Sequence, residues 1–115
     1  MGDTYTKIIY HVVFSVKYRR SCFPLEIREK VFSLLAHVIN EEDVVPLCVG
    51  GHVDHIHLLV SIKPTQKISD IISKIKTRSS KLLKLKGQVK WDFEWQNGYG
   101  LFTVCLLYTS DAADE

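Results

Sequence analysis

The order of patterns along this chain predicts an α+β sandwich: a four-stranded antiparallel sheet with two helices on one face. Three observations carry the prediction. Period-two alternation, the mark of a strand with one buried face, recurs near the start, the middle and the end of the chain. Two intervening stretches place apolar residues at helical spacing. The resulting order, strand, helix, strand, strand, helix, strand, is the split β-α-β arrangement of the ferredoxin-like fold.

The first strand runs from about Tyr5 to Lys17. Ile8, Tyr10, Val12, Phe14 and Val16 form one apolar face, and Lys7, Ile9, His11, Val13, Ser15 and Lys17 form a mixed second face. That second face is expected to be the open side of the sheet or a partner surface, where His11 either neighbours other histidines or is an ordinary polar position. A basic connection, Tyr18 to Phe23, leads to Pro24, which suits the first turn of a helix because its missing N–H costs nothing there. The helix is expected over Leu25 to Asn40, with Ile27, Val31, Leu34, Leu35 and Val38 on its buried side and Glu26 and Glu29 near its positive end.

Val44 to Val49 reads as a short strand that accepts Pro46 only where no ladder N–H is needed. Gly50-Gly51 signals a turn, extending through Asp54, into a second hairpin strand that Pro64 stops. On that strand Ile56, Leu58, Val60 and Ile62 share the apolar face, and His55, His57, Leu59 and Ser61 share the other. Lys67 to Leu85 is the second helix, buried through Ile68, Ile71, Ile72, Ile75, Leu82 and Leu83, with Gly87 as its stop. Val89 to Val104 holds two β-prone pieces joined at Asn97-Gly98: Trp91, Phe93 and Trp95 alternating with acids, then a piece containing Tyr99 and Phe102. Core or hairpin packing accounts for most of these aromatics; stacking on unpaired bases is the other use open to them.

At 115 residues the chain makes one small domain, and its 46% apolar and 24% charged content fits a globular protein. No run approaches the roughly 20 apolar residues of a membrane span, and the N-terminus lacks the pattern of a secretory leader. The expectation is a cytoplasmic protein with no membrane partner. Cys22, Cys48 and Cys105 show no CxxC spacing and read as reduced thiols, Cys48 as a small apolar strand residue. The net charge of +2 predicts no partner, but its distribution is uneven. Lys17, Arg19 and Arg20 cluster after the first strand, and Lys67 to Gly87 carries six Lys and one Arg against the single acid Asp70. Lys67, Lys74, Arg78 and Lys81 line one side of the second helix, either as a solvated face or as contacts for a phosphate backbone.

Two imidazoles at i, i+2 on the face away from the core form a ready pair of metal ligands; the bland alternative is polar decoration of a solvent-facing strand. Such a pair is half a site, because metals require further ligands.

Three segments together resemble the single-tyrosine HUH transposases of the insertion-sequence 200/605 class. They are Tyr10-His-Val-Val-Phe-Ser-Val-Lys-Tyr-Arg-Arg20, Val49-Gly-Gly-His-Val-Asp-His-Ile-His-Leu-Leu-Val60 and Trp95-Gln-Asn-Gly-Tyr-Gly-Leu-Phe-Thr-Val104. The resemblance implies cleavage and rejoining of single-stranded DNA at mobile-element ends. It implies that His55 and His57 hold Mg²⁺ or Mn²⁺ on the scissile phosphate, with manganese at least as comfortable a match for imidazole. It further implies a tyrosine nucleophile forming a 5′-phosphotyrosine link, a homodimer, and DNA with hairpin ends as partner. Lys17, Arg19, Arg20, Lys74, Arg78 and Lys81 are the candidate DNA contacts, chosen on charge alone.

The family places its nucleophile and a further metal ligand on a helix after the Gly-Tyr-Gly-x-Phe strand. The expectation is therefore a domain over 1–104 without that helix, with Tyr108 a poor nucleophile, and an inactive fragment. Residues 105–115 resemble translated library-adapter sequence and are expected to be non-native; without their three acids the net charge rises from +2 to +5. Three alternatives stand beside this reading. One is a non-catalytic single-stranded DNA or RNA-binding module of RRM-like plan; another is a structural or ligand-binding ferredoxin-like dimer whose charges are only a solvated surface. The last is a repeat-associated domesticated tyrosine transposase.

Overall fold

The apolar face of the first strand meets a complementary face on the histidine strand, and this pairing sets the sheet. The computed structural model describes residues 7–104. Its elements are β1 (Ile8–Ser15), a 3-10 turn (Lys17–Arg19), α1 (Leu25–Glu41), β2 (Val45–Gly51), β3 (His55–Ile62), α2 (Ile68–Leu85) and β4 (Gly100–Val104). The strand order is β2-β3-β1-β4, every pair antiparallel, which is the ferredoxin-like α+β sandwich expected. Tyr108 and the stretch 105–115 lie outside the described residues.

In the β1/β3 register Val12 faces Leu58 and Phe14 faces Ile56, so one face of the central pair is continuously apolar. Against it pack Val31, Leu34, Leu35, Val38 and Ile39 of α1 and Ile71, Ile72, Ile75 and Leu83 of α2. Each fully buried aliphatic side chain of this kind contributes about 1.5–3 kcal/mol relative to exposure. Both helices therefore sit on the same side, and the odd-numbered residues of β1 and β3 are left on the other.

Helix α1 begins one residue after Pro24, whose extended backbone (φ −64°, ψ 158°) places it at the N-cap rather than inside the first turn. It ends at Glu41 with Glu42 as its C-cap, and Asp43 then takes a left-handed backbone (φ 62°) that short polar residues accept. Helix α2 stops where expected, with Gly87 at φ 73°. No helix among the described residues is long and apolar enough to cross a membrane.

Three expectations are corrected. Gly50 and Gly51 belong to β2, and the turn is His52–Asp54, closed by the His52 amide on the His55 carbonyl at 2.9 Å. Cys48 is exposed, because β2 is an edge strand whose pairing shifts register between Pro46 and Cys48. The shift accommodates Pro46, which has no N–H to give the ladder. The segment Trp91–Trp95 forms no strand, its one ladder contact being the bridge between Val16 and Trp95. Aromatic packing shapes it instead: Phe93 and Trp95 are buried edge-to-face with each other at 5.0 Å, and Trp95 meets Phe14 at 4.6 Å, whereas Trp91 is 71% exposed.

Candidate functional site

The period of a strand puts His55 and His57 on the sheet face that the helices leave open. Ser15 is the register partner of His55 and Val13 that of His57, and His11 lies on the same face one step along β1. The two candidate ligand rings meet at 4.8 Å between centroids, nearly perpendicular. His11 stacks on His57 at 5.4 Å with an interplanar angle of 11°, and its other neighbour is Phe102 of β4 at 5.9 Å. Gly50 is the register partner of His57 on β2, and open space lies where a Cβ would stand. The histidines thus occupy a shallow platform bounded by an aromatic on one side and bare backbone on the other.

Each ring has one nitrogen engaged from within the chain. His55 Nδ1 lies 2.9 Å from Oδ1 of Asp54, and His57 Nδ1 lies 3.3 Å from Nε2 of His11. The nitrogen not so engaged is Nε2 in both. Partial burial, with His55 and His11 nearby, pushes the His57 pKa below its ordinary value. Neutral imidazole, the form that binds metals, is favoured there. The residues present fit two positions of a divalent ion. Among the described residues no group of three or more His, Cys, Asp or Glu side chains is arranged to hold one alone.

Asp54 was not singled out by the sequence, and its place in the site is set by a turn. A residue preceding a strand histidine would ordinarily point to the opposite face. Here the His52–Asp54 turn brings the carboxylate back onto the ring. Arg19 holds the other side of Asp54 as a fork, Nε to Oδ2 at 3.1 Å and Nη2 to Oδ1 at 3.2 Å. These contacts, Arg19 first and His55 second, lower the Asp54 pKa to about 2. The turn that delivers Arg19 is strained: Tyr18 (φ 61°) and Arg19 (φ 54°) are both left-handed, at roughly 1–2 kcal/mol each for residues with a Cβ.

The cations chosen on charge are distributed differently from what their sequence neighbourhood suggests. Lys17 pairs with Glu94 at 3.2 Å and Arg20 with Asp92 at 3.1 Å. Arg78 is forked across two carboxylates at the C-terminal end of α1, Glu41 and the C-cap Glu42, the latter at 2.9 Å. The α2 face is therefore not free of acids; they arrive from the neighbouring helix rather than from α2 itself. Lys74 and Lys81 remain exposed on α2, in the helical layer behind the sheet. A cation that charge clustering overlooked, Lys76, donates to the carbonyls of Gln96 (2.7 Å) and Gly98 (2.8 Å) and so ties α2 to the connection entering β4.

Comparison with known proteins gives the family and the fold. The residue pattern of the family described as "Transposase IS200 like" matches residues 4–111. The transposase for insertion sequence element IS200 of Salmonella typhimurium is 35% identical over 100 residues, covering 83% of this chain; the chain spans 66% of that relative's length. A crystal structure of a proposed transposase from Deinococcus radiodurans shares the fold with a TM-score of 0.79 at 19% identity, over 99% of this chain and 92% of that one. The structure of a REP-associated tyrosine transposase bound to a REP hairpin superimposes with a TM-score of 0.63 at 13% identity, over 96% of this chain and 66% of that one. With the family pattern spanning nearly the whole chain, the protein belongs to the IS200-like transposase family.

Proposed function

We propose that this chain carries the metal-binding half of a transposase that cleaves and rejoins single-stranded DNA with hairpin ends, working as a homodimer. The observation behind the proposal is the pairing of His55 and His57 on the open sheet face at 4.8 Å, with Nε2 the unengaged nitrogen of each. In this reading the two imidazoles hold Mg²⁺ or Mn²⁺, and the remaining coordination positions fall to phosphate oxygens and water. The bound ion would supply Lewis-acid polarisation of the scissile phosphate. The chain's own residues orient the reacting group: the sheet fixes the two rings, and the absence of a side chain at Gly50 leaves open space beside His57.

Completion of the reaction needs a tyrosine hydroxyl that attacks phosphorus, forming the phosphotyrosine bond and releasing the 3′-hydroxyl. Among the described residues no tyrosine hydroxyl hydrogen-bonds to His55 or His57, and Tyr10 packs on the core side of β1. In this reading residues 7–104 supply the binding of metal and DNA without the covalent step. Lys17, Arg19, Arg20, Lys74, Arg78 and Lys81 remain the candidate DNA contacts. Those already paired within the chain would have to exchange a carboxylate for a phosphate.

A non-catalytic single-strand-binding module is the second reading, favoured by Phe102, which is 57% exposed on the same face beside His11. The experiment that separates them follows a labelled hairpin-tipped single strand in a mobility-shift assay with Mn²⁺ or with chelator. The transposase reading predicts metal-enhanced retention, lost in His55→Ala/His57→Ala, and no SDS-resistant adduct. Retention indifferent to metal and to both substitutions would establish the binding module; an adduct would overturn the assignment of binding alone.

A further inference from the structure

We infer that Asp54, clamped by Arg19, is a positioning residue for His55: it accepts the Nδ1–H of that ring and so reserves Nε2 for an external ligand. The inference rests on the metal reading above and gives a role there to residues outside the histidine pair.

Three independent features of the chain converge on that carboxylate. Its Oδ1 is 2.9 Å from His55 Nδ1, and both of its oxygens are gripped by the Arg19 fork, at 3.1 and 3.2 Å. The backbone carrying it is fastened on three sides. The Val16 amide donates to the Asp54 carbonyl (2.8 Å), the Phe23 amide to the Val53 carbonyl (2.9 Å), and the His52 amide to the His55 carbonyl (2.9 Å). Arg19 reaches it from a turn in which Tyr18 and Arg19 hold consecutive left-handed backbones, a conformation disfavoured for both side chains and retained here beside the site. A salt bridge serving only the surface would not require such a turn. A carboxylate behind a metal-facing histidine sets the ring's tautomer and orientation and raises its basicity. Free imidazole in water has no such constraint, so the tautomer itself reports the contact.

The assignment moves Arg19 from the DNA-contact group to the support of the histidine. The Nε/Nη2 edge of its guanidinium is committed to Asp54, so that edge is not offered to a phosphate.

The test uses the full 115-residue chain, labelled with ¹⁵N-histidine and free of metal, at pH 8, above the ordinary imidazole range of about 6.5. Long-range ¹H–¹⁵N correlation is expected to show His55 with its proton on Nδ1. In Asp54→Ala the proton is expected to move to Nε2, and Mn²⁺ affinity by calorimetry to fall about 10- to 100-fold. Asp54→Asn, which keeps an acceptor oxygen, is expected to retain the Nδ1–H signature and most of the affinity. Arg19→Gln is expected to give a mixture of tautomers. A purely structural role would lower the melting temperature and leave the tautomer unchanged. Retention of Nδ1–H in Asp54→Ala overturns the inference. So does an Arg19→Gln variant that loses hairpin affinity in chelator with the His55 signature intact, because Arg19 would then be a phosphate contact. A wild-type chain that shows the Nδ1–H tautomer but takes up no Mn²⁺ supports the positioning and overturns the metal reading, so the two failures are distinct.

Discussion

Gly50 and Gly51 are adjacent in β2 and meet opposite surroundings. A Cβ at Gly50 would stand in open space beside His57, while one at Gly51 would collide with the His55 carbonyl oxygen and press on Ile56. Gly51→Ala is therefore expected to destabilise the chain by about 1–3 kcal/mol and to displace the histidine strand, with Gly50→Ala close to neutral. Chemical denaturation of the two variants checks both. At the same scale, His57 gives the site a pH dependence of definite sign. Its pKa is depressed by partial burial and by its neighbours His55 and His11, so the neutral ring is the favoured form in the folded chain. Its contribution is fully present above the ordinary imidazole value of about 6.5 and is lost as pH falls through the lower folded value. Mn²⁺ affinity, followed by titration from pH 8 to pH 5, is expected to hold near pH 6.5 and to collapse below it. The histidine pair was legible because strand alternation is a rigid rule. Asp54 was not, because the turn that folds its carboxylate back onto His55 depends on contacts with β1 and Phe23, far away in sequence.

Among the elements, α2 does more than cover the sheet. Ser79 is fully buried on its inner side; it accepts a hydrogen bond from the indole N–H of Trp95 at 3.1 Å, and its own hydroxyl donates one to the Lys76 carbonyl at 3.2 Å. Ser79→Ala leaves that indole N–H without a partner in the core and is expected to cost about 1–3 kcal/mol. Adding Trp95→Phe, which removes the donor, is expected to make the double variant less destabilised than the sum of the two singles. A thermal or denaturant double-mutant cycle measures the difference; strict additivity would dissociate the two groups. The apolar stripe of α2 could be read from its spacing, but a lone serine inside it carries no signal of the indole it serves. The Trp91–Trp95 segment was misread for a related reason. Its alternation is genuine, yet two large buried rings, Trp95 against Phe14 and Phe93 against Phe23, hold it in place without a strand partner, and periodicity does not distinguish those cases.

Across the whole molecule the charges separate into two groups on different surfaces. The cluster after β1 lies at the histidine end of the sheet and is neutralised locally by Glu94, Asp54 and Asp92. The α2 lysines lie in the helical layer, and Arg78 is committed to α1. Sequence counts registered how many cations there were and where they fell along the chain, whereas their partners come from other elements and emerge only on folding. The fold itself was legible to within a few residues at most element ends, since alternation, helical spacing and glycine stops all agreed with one topology. In the proposed reading, the chemistry of the open face depends on two rings and one ion. Calorimetric titration of Mn²⁺ into the metal-free chain at pH 8, set beside His55→Ala/His57→Ala, tests that claim most directly. The account predicts saturable uptake at a single site by the unmodified chain and none by the double variant; no uptake by the unmodified chain, or equal uptake by both, would contradict it.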